Sequence, residues 1–191
     1  MLEATTIQMR LQERGRPRPT KAAQEKASRH VTHTMTSNPE SEEFTLVSMF
    51  SGCGGMDLGF LGGFEVFGRR YQRLPFRIIW ANEHNAKACA TYRRNIGADI
   101  ICGDVWDALP SLPPKADVLI GGFPCQDISV NGKRAGANGR RSGLYKAMIE
   151  AIKLCKPTVF VAENVGSLLM PCNADSLHQV MTDFGDLGYT L

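Results

Sequence analysis

The chain has 191 residues, 43% hydrophobic and 21% charged, with a net charge of +3, which fits one globular domain with a short appendage and permits nucleic-acid binding without demanding it. Its apolar runs are far shorter than a membrane span, and "MLEATTIQMR" lacks the apolar stretch of an export signal, so a cytoplasmic setting with no membrane contact is expected. The six cysteines then read as free thiols, most of them small and buried, and with no C-x-x-C spacing and no partnered histidines no metal is expected.

Residues 1–43 are polar and aperiodic and contain "RGRPRPTK". They read as a flexible basic arm, either a solvated tail or a non-specific phosphate contact. From Phe44 the pattern changes, and residues 44–191 read as one cofactor-binding, catalytic domain. "FTLVSMF" predicts a strand running into "SGCGGMDLGF", a glycine-rich turn that opens a helix. "FRIIWANE" predicts a second strand, "NAKACATYRRN" a helix, "ADIICGD" a third strand and "ADVLIGGFPC" a fourth. "SGLYKAMIEAIKLCKP" predicts a helix capped by Ser142, with Leu144, Met148, Ile149, Ile152 and Leu154 as its apolar face and Pro157 as its stop. "TVFVAENV" predicts a fifth strand and "ADSLHQVMTDFGDLGY" a last helix. Strands alternating with helices predict an α/β fold, a mostly parallel sheet covered on both faces.

In such a sheet ligands bind beyond the carboxyl ends of the strands, and the unusual residues of this sequence fall there. Gly52, Gly54 and Gly55 would let backbone approach a ligand closely, although Asp57 stands where a dinucleotide fingerprint has its last glycine. Glu83 after the second strand can accept hydrogen bonds from ribose hydroxyls, and Asp104 after the third from an exocyclic amine. No phosphate-gripping lysine follows the glycines, which points to a nucleoside with a small or cationic substituent, such as S-adenosylmethionine. Pro124 stiffens the turn that presents Cys125, an arrangement that suits a nucleophile better than a core cysteine. Glu163, at the neighbouring tip, would reach the same substrate ring. Each feature alone also has an ordinary reading, as a tight turn or an exposed acid at a strand end; their convergence on five tips is what favours a site.

Taken in order, Phe-x-Gly-x-Gly-Gly, Asn82-Glu83, Gly103-Asp104-Val105, Gly-Phe-Pro-Cys-Gln, Gly143-Leu144-Tyr145 and Glu163-Asn164-Val165 resemble the DNA (cytosine-5) methyltransferases, over Phe44 to about Leu191. The resemblance implies the Rossmann-like methyltransferase fold, a cytosine flipped out of double-stranded DNA, Cys125 as the nucleophile at ring carbon 6 and Glu163 as the contact to ring nitrogen 3 and the exocyclic amine. It implies S-adenosyl-L-methionine as cofactor, held by Phe50, Ser51, Gly52, Cys53, Gly54, Gly55, Glu83, His84, Asp104, Val105, Pro124 and Leu144. "SVNGKRAGANGRRSG" is similar to the family's loop that closes over DNA, and Gln126, Ser129, Lys133, Arg134, Arg140, Arg141 and Asn164 are the implied DNA contacts.

Three family features are missing from these residues: the later arginine-bearing motif, the target-recognition domain and the segment that closes the cofactor pocket. A catalytic portion is therefore expected, either one half of a split enzyme or part of a longer chain, with the recognition domain supplied by a second chain or a C-terminal segment. The alternatives are a protein that binds S-adenosylmethionine or nucleic acid without catalysis, and an RNA cytosine-5 methyltransferase.

Overall fold

A computed structural model describes residues 4–11, 43–97, 99–124 and 143–191. Its central sheet has seven strands: β1 (Ala4–Leu11), β2 (Phe44–Met49), β5 (Phe76–Glu83), β6 (Ile101–Cys102), β7 (Val118–Gly122), β8 (Val159–Val165) and β9 (Tyr189–Thr190), in the spatial order β6-β5-β2-β7-β8-β1-β9. A separate two-stranded ribbon pairs β3 (Glu65–Val66) with β4 (Arg69–Arg70). The helices are α1 (Gly55–Leu61), α2 (Ala86–Asn95), the single turn α3 (Val105–Ala108), α4 (Leu144–Cys155) and α5 (Ala174–Gly185).

β6, β5, β2, β7 and β8 run parallel, as the near-continuous apolar runs predict. Their alternate side chains build two cores. On one face Leu46, Ile78, Ile120 and Val161 meet Met56 and Phe60 of α1, and beside them Ala81 packs against Cys89 and Tyr92 of α2. On the other, Val47, Met49, Leu119 and Phe160 meet α3, α4 and α5. Helices thus cover both faces. The chain moves outward from β2 through β5 to β6, then returns to β7 and β8, so the direction of winding reverses between β2 and β7. A crevice opens at such a reversal.

Four expectations change. The predicted third strand shrinks to Ile101–Cys102, because Asp104 turns the chain at once by accepting from the Trp106 amide at 2.9 Å. In α4, Leu154 is half exposed while Met148, Ile149 and Ile152 are buried; at 100° per residue Ile152 and Leu154 cannot share a face. The helix ends at Lys156, in the left-handed region at φ 45°, one residue before Pro157, and its expected cap Ser142 lies outside the described residues.

The third change concerns the arm. Ala4–Leu11 is a strand of the main sheet, antiparallel to both β8 and β9. Thr6, Gln8 and Arg10 alternate with Ile7, Met9 and Leu11, the period-two pattern of a strand, which polar surroundings obscure. Its register sets Thr5 opposite Asn164 and Thr6 opposite Glu163. The remainder of the expected arm, 12–42, lies outside the described residues. The cysteine expectation also shifts: of the five described, Cys89 and Cys155 are buried and Cys53, Cys102 and Cys172 are exposed. Burial pushes the Cys155 thiol up to about 11, which keeps it protonated and inert near neutral pH.

Candidate active site

The crevice between the tips of β2 and β7 is built on buried polar groups. β2 ends at Phe50, held at φ 53°, a left-handed conformation that costs a non-glycine residue about 1–2 kcal/mol. The bend brings Ser51 back against the sheet. Its amide donates to the Asn82 carbonyl at 3.0 Å, and its hydroxyl lies 2.8 Å from the Ser48 hydroxyl. Ser51 is therefore a buried fastener of the loop, with its hydroxyl bonded to Ser48. Gly52 and Gly54, at φ 56° and 88°, complete the turn, and Gly54 leads into α1. A Cβ on Gly54 would sit 2.5 Å from Ile96 Cγ1, whereas Gly52 and Gly55 face open space. The exposed Cys53 stands on the outside of the same turn.

Glu83 closes the turn from the neighbouring strand. One carboxylate oxygen accepts from the Gly52 amide at 2.9 Å and the other from the Asn85 amide at 2.7 Å. Each oxygen keeps a further lone pair, so the side chain can hold the glycine turn and still accept from a ligand hydroxyl. His84 beside it is exposed. Asn82 secures the next tip, its amide donating to the Ile101 and Gly103 carbonyls. Asp104 is exposed, with one oxygen used as a helix cap, and Val105 behind it is buried.

Under the turn, Asp57 is fully buried and accepts from the Tyr92 hydroxyl at 2.8 Å. Burial raises its pKa above the ordinary 3.8, opposed by the Tyr92 and Ser48 hydroxyls. A raised folded-state pKa means that the folded protein binds this proton more tightly than the unfolded chain does. Its contribution is greatest below 3.8 and is lost as pH rises through the higher folded value. Asp57→Asn keeps an acceptor for Tyr92 and removes the charge. The variant is expected to melt at a higher temperature at neutral pH and to lose this part of the pH dependence, read by thermal melts from acid to neutral pH.

The second wall comes from β7 and β8. Phe123 is buried against Tyr145 and Phe184, with ring centroids 6.2 and 6.5 Å away. Its carbonyl accepts from the Asn164 side-chain amide at 2.9 Å. Asn164, which the resemblance implies as a DNA contact, is buried and braces the β7 turn. Pro124 follows, exposed. Glu163 reaches over this turn, since a Cβ built on Gly122 would lie 2.8 Å from Glu163 Oε2. That places the carboxylate against the backbone three positions before Cys125. Leu144, half buried, starts α4 and packs on the core beneath.

The structure thus gathers Phe50 to Gly55, Glu83, Asp104, Pro124 and Glu163 at adjacent strand ends. Cys125, Gln126, Ser129, Lys133, Arg134, Arg140 and Arg141 lie outside the described residues. Ser48, Asn82 and the anchoring role of Phe123 were not anticipated. The signal for Ser48 and Asn82 is a polar residue inside an otherwise apolar strand, which must find a buried partner.

Residues 44–191 match the family model described as C-5 cytosine-specific DNA methylase. The chain is 40% identical over 154 residues to the type II methyltransferase M.NgoFVII of Neisseria gonorrhoeae, covering 80% of this chain and 38% of that protein. It is 36% identical over 146 residues to M.FnuDI of Fusobacterium nucleatum, covering 76% and 39%. With the DNA (cytosine-5-)-methyltransferase M.ApeKI of Aeropyrum pernix it shares 34% over 166 residues, covering 75% and 33%. It therefore spans about two fifths or less of these relatives. An E. coli prophage-encoded protein described as a DNA modification methyltransferase shares the fold, with a TM-score of 0.55 and 21% identity over 75% of this chain and 38% of that one. With more than three quarters of its length matched by the family model, the chain belongs to the C-5 cytosine-specific DNA methylase family.

Proposed function

We propose that these residues form the cofactor-binding and catalytic portion of an enzyme that methylates carbon 5 of cytosine in DNA. The observation that carries the reading is the position of the Glu163 carboxylate over Gly122, on the turn that leads to Pro124 and Cys125. The carboxylate thus stands at the end of β7, the strand that precedes Cys125 in the sequence.

The residues on the β2 side fit S-adenosylmethionine. Gly52 and Gly55 leave open space where other residues would carry a Cβ, and Glu83 has lone pairs available for ribose hydroxyls. Asp104 has a free oxygen for the adenine amine, and no lysine competes for a phosphate. When bound, the cofactor supplies an electrophilic methyl group. Glu83→Ala is expected to weaken S-adenosylmethionine binding roughly tenfold to a hundredfold, the worth of one charge-assisted hydrogen bond. Calorimetry reads this directly, and DNA affinity is expected to change less.

The chain's own part of the reaction is nucleophilic. The Cys125 thiolate adds to ring carbon 6, forming a carbon–sulfur bond and moving the ring's π electrons toward carbon 5. Glu163 holds ring nitrogen 3 and the exocyclic amine, and so stabilises the charge that develops there. Methylated carbon 5 then loses its proton to a base, the electron pair re-forms the ring double bond, and the thiolate leaves. Covalent addition replaces one difficult step with two easier ones.

The segment that reads the DNA sequence lies outside these 191 residues in this reading, in a longer chain or a second one. The support is that the relatives are about twice as long. The test uses DNA containing 5-fluorocytosine with S-adenosylmethionine. Fluorine blocks the final elimination, so a working nucleophile is trapped as a protein–DNA adduct on a denaturing gel. An adduct when the 191 residues are joined by a relative's C-terminal half supports the reading. The absence of any adduct, with the target sequence represented, overturns it.

A further inference from the structure

The ribbon between α1 and β5 belongs to neither wall of the crevice. Phe44 pairs with Phe76 at the start of β2 and β5, and Leu74 donates to the Leu61 carbonyl at the far end of α1. The ribbon therefore sits at the opposite end of the sheet from Glu83. The length of β5 separates the two, about 23 Å at strand rise.

Its tip is strained. Phe67 has φ 50° and Gly68 φ 73°, the two-residue hairpin turn that favours Asn-Gly. A phenylalanine pays a steric cost there, and this one gains no burial in return, being 103% exposed. The base of the ribbon is firm. Gly63 and Tyr71 exchange backbone bonds with Tyr71 and Phe64, and the Phe64 and Tyr71 rings stack at 4.7 Å. A Cβ on Gly62 would run into the Gln72 carbonyl. Arg69 lies over the Tyr71 ring at 5.1 Å. Arg70 and Arg73 line a cleft of about 440 Å³ with Gly63, Tyr71 and Gln72. No carboxylate among the described residues forms an ion pair with Arg69, Arg70 or Arg73.

We propose that this ribbon is a second nucleic-acid contact, in which Arg69, Arg70 and Arg73 hold phosphates and the Phe67 ring packs on a base. Arginine forks match phosphate oxygens, and a rigid exposed ring beside them is the pairing that nucleic-acid strands engage. The contact does not depend on methyl transfer, because it lies at the opposite end of the sheet from Glu83 and Glu163.

The test titrates a short fluorescein-labelled DNA, as a single strand and as a duplex, over a range of salt. Replacing Arg69, Arg70 and Arg73 together with Gln is expected to lower the slope of log affinity against log salt by roughly 3, about one per phosphate lost. Phe67→Asn suits the left-handed turn, so the variant is expected to melt no lower than wild type while single-strand affinity falls roughly tenfold. Binding and salt slope equal to wild type in the arginine variant, on both DNAs, would overturn the proposal. Unchanged single-strand affinity in Phe67→Asn would overturn the stacking contact. Calorimetry with S-adenosylmethionine separates this site from the crevice, since both variants are expected to bind it as wild type does.

Discussion

Cys125→Ser is expected to abolish methyl transfer by the reconstituted enzyme, by roughly 10⁴-fold or more, and to remove the 5-fluorocytosine adduct entirely. A serine hydroxyl ionises far less readily than a thiol and adds poorly to an aromatic carbon without a strong base. The substitution follows an exposed Pro124, and the turn is anchored upstream by the buried Phe123 ring and the Asn164 amide. Melting temperature and cofactor affinity should therefore stay near wild type. Tritiated methyl transfer to DNA measures the loss, and substantial activity in the serine variant would remove Cys125 from the nucleophile's role.

Cys89, Cys155 and Cys53 do not offer an easy substitute. Cys89 and Cys155 are buried, and burial pushes both thiols up to about 11. Cys89 also donates to the Glu83 carbonyl at 3.3 Å, so it braces the tip of β5. Cys53 is exposed but stands on the glycine turn, where Glu163 on the far wall is not its partner.

The parallel sheet and the crowding of unusual residues at its tips were legible in the sequence, because both follow from local pattern: apolar runs of strand length, each followed by glycine, acid or proline. What was not legible depends on pairing between distant residues. Ala4–Leu11 has a strand's alternation, but its partners Val159–Val165 lie some 150 positions away, and its neighbourhood is polar. Asn164 sits within a catalytic motif and was taken for a DNA contact. Only the spatial adjacency of β7 and β8 reveals that its amide is spent on the Phe123 carbonyl. The inward turn of the Ser51 hydroxyl follows from the left-handed conformation of Phe50, which local pattern does not reveal. Average cysteine behaviour cannot separate Cys102 on a short edge strand from Cys89 on the buried face of α2.

Gly122→Ala is the sharpest test of the crevice as described. The added Cβ would lie 2.8 Å from Glu163 Oε2, closer than a methyl group and a carboxylate oxygen can approach. The contact is with the far end of a flexible side chain, and no other atom is nearer than the same carboxyl carbon at 4.0 Å, so the side chain swings away and the strand stays. Gly122 carries no positive φ, so alanine adds no backbone strain. The expected result is a protein that melts near wild type and binds S-adenosylmethionine normally, yet transfers methyl about a hundredfold more slowly in the reconstituted enzyme. That figure is the usual cost of misplacing a group that must meet developing charge. Glu163→Ala should be no more active than this, and the double substitution should lose little beyond Glu163→Ala alone, because both changes remove the same contact. Fully additive losses would mean that Gly122 acts through something other than Glu163, such as the approach of the substrate ring to the backbone itself.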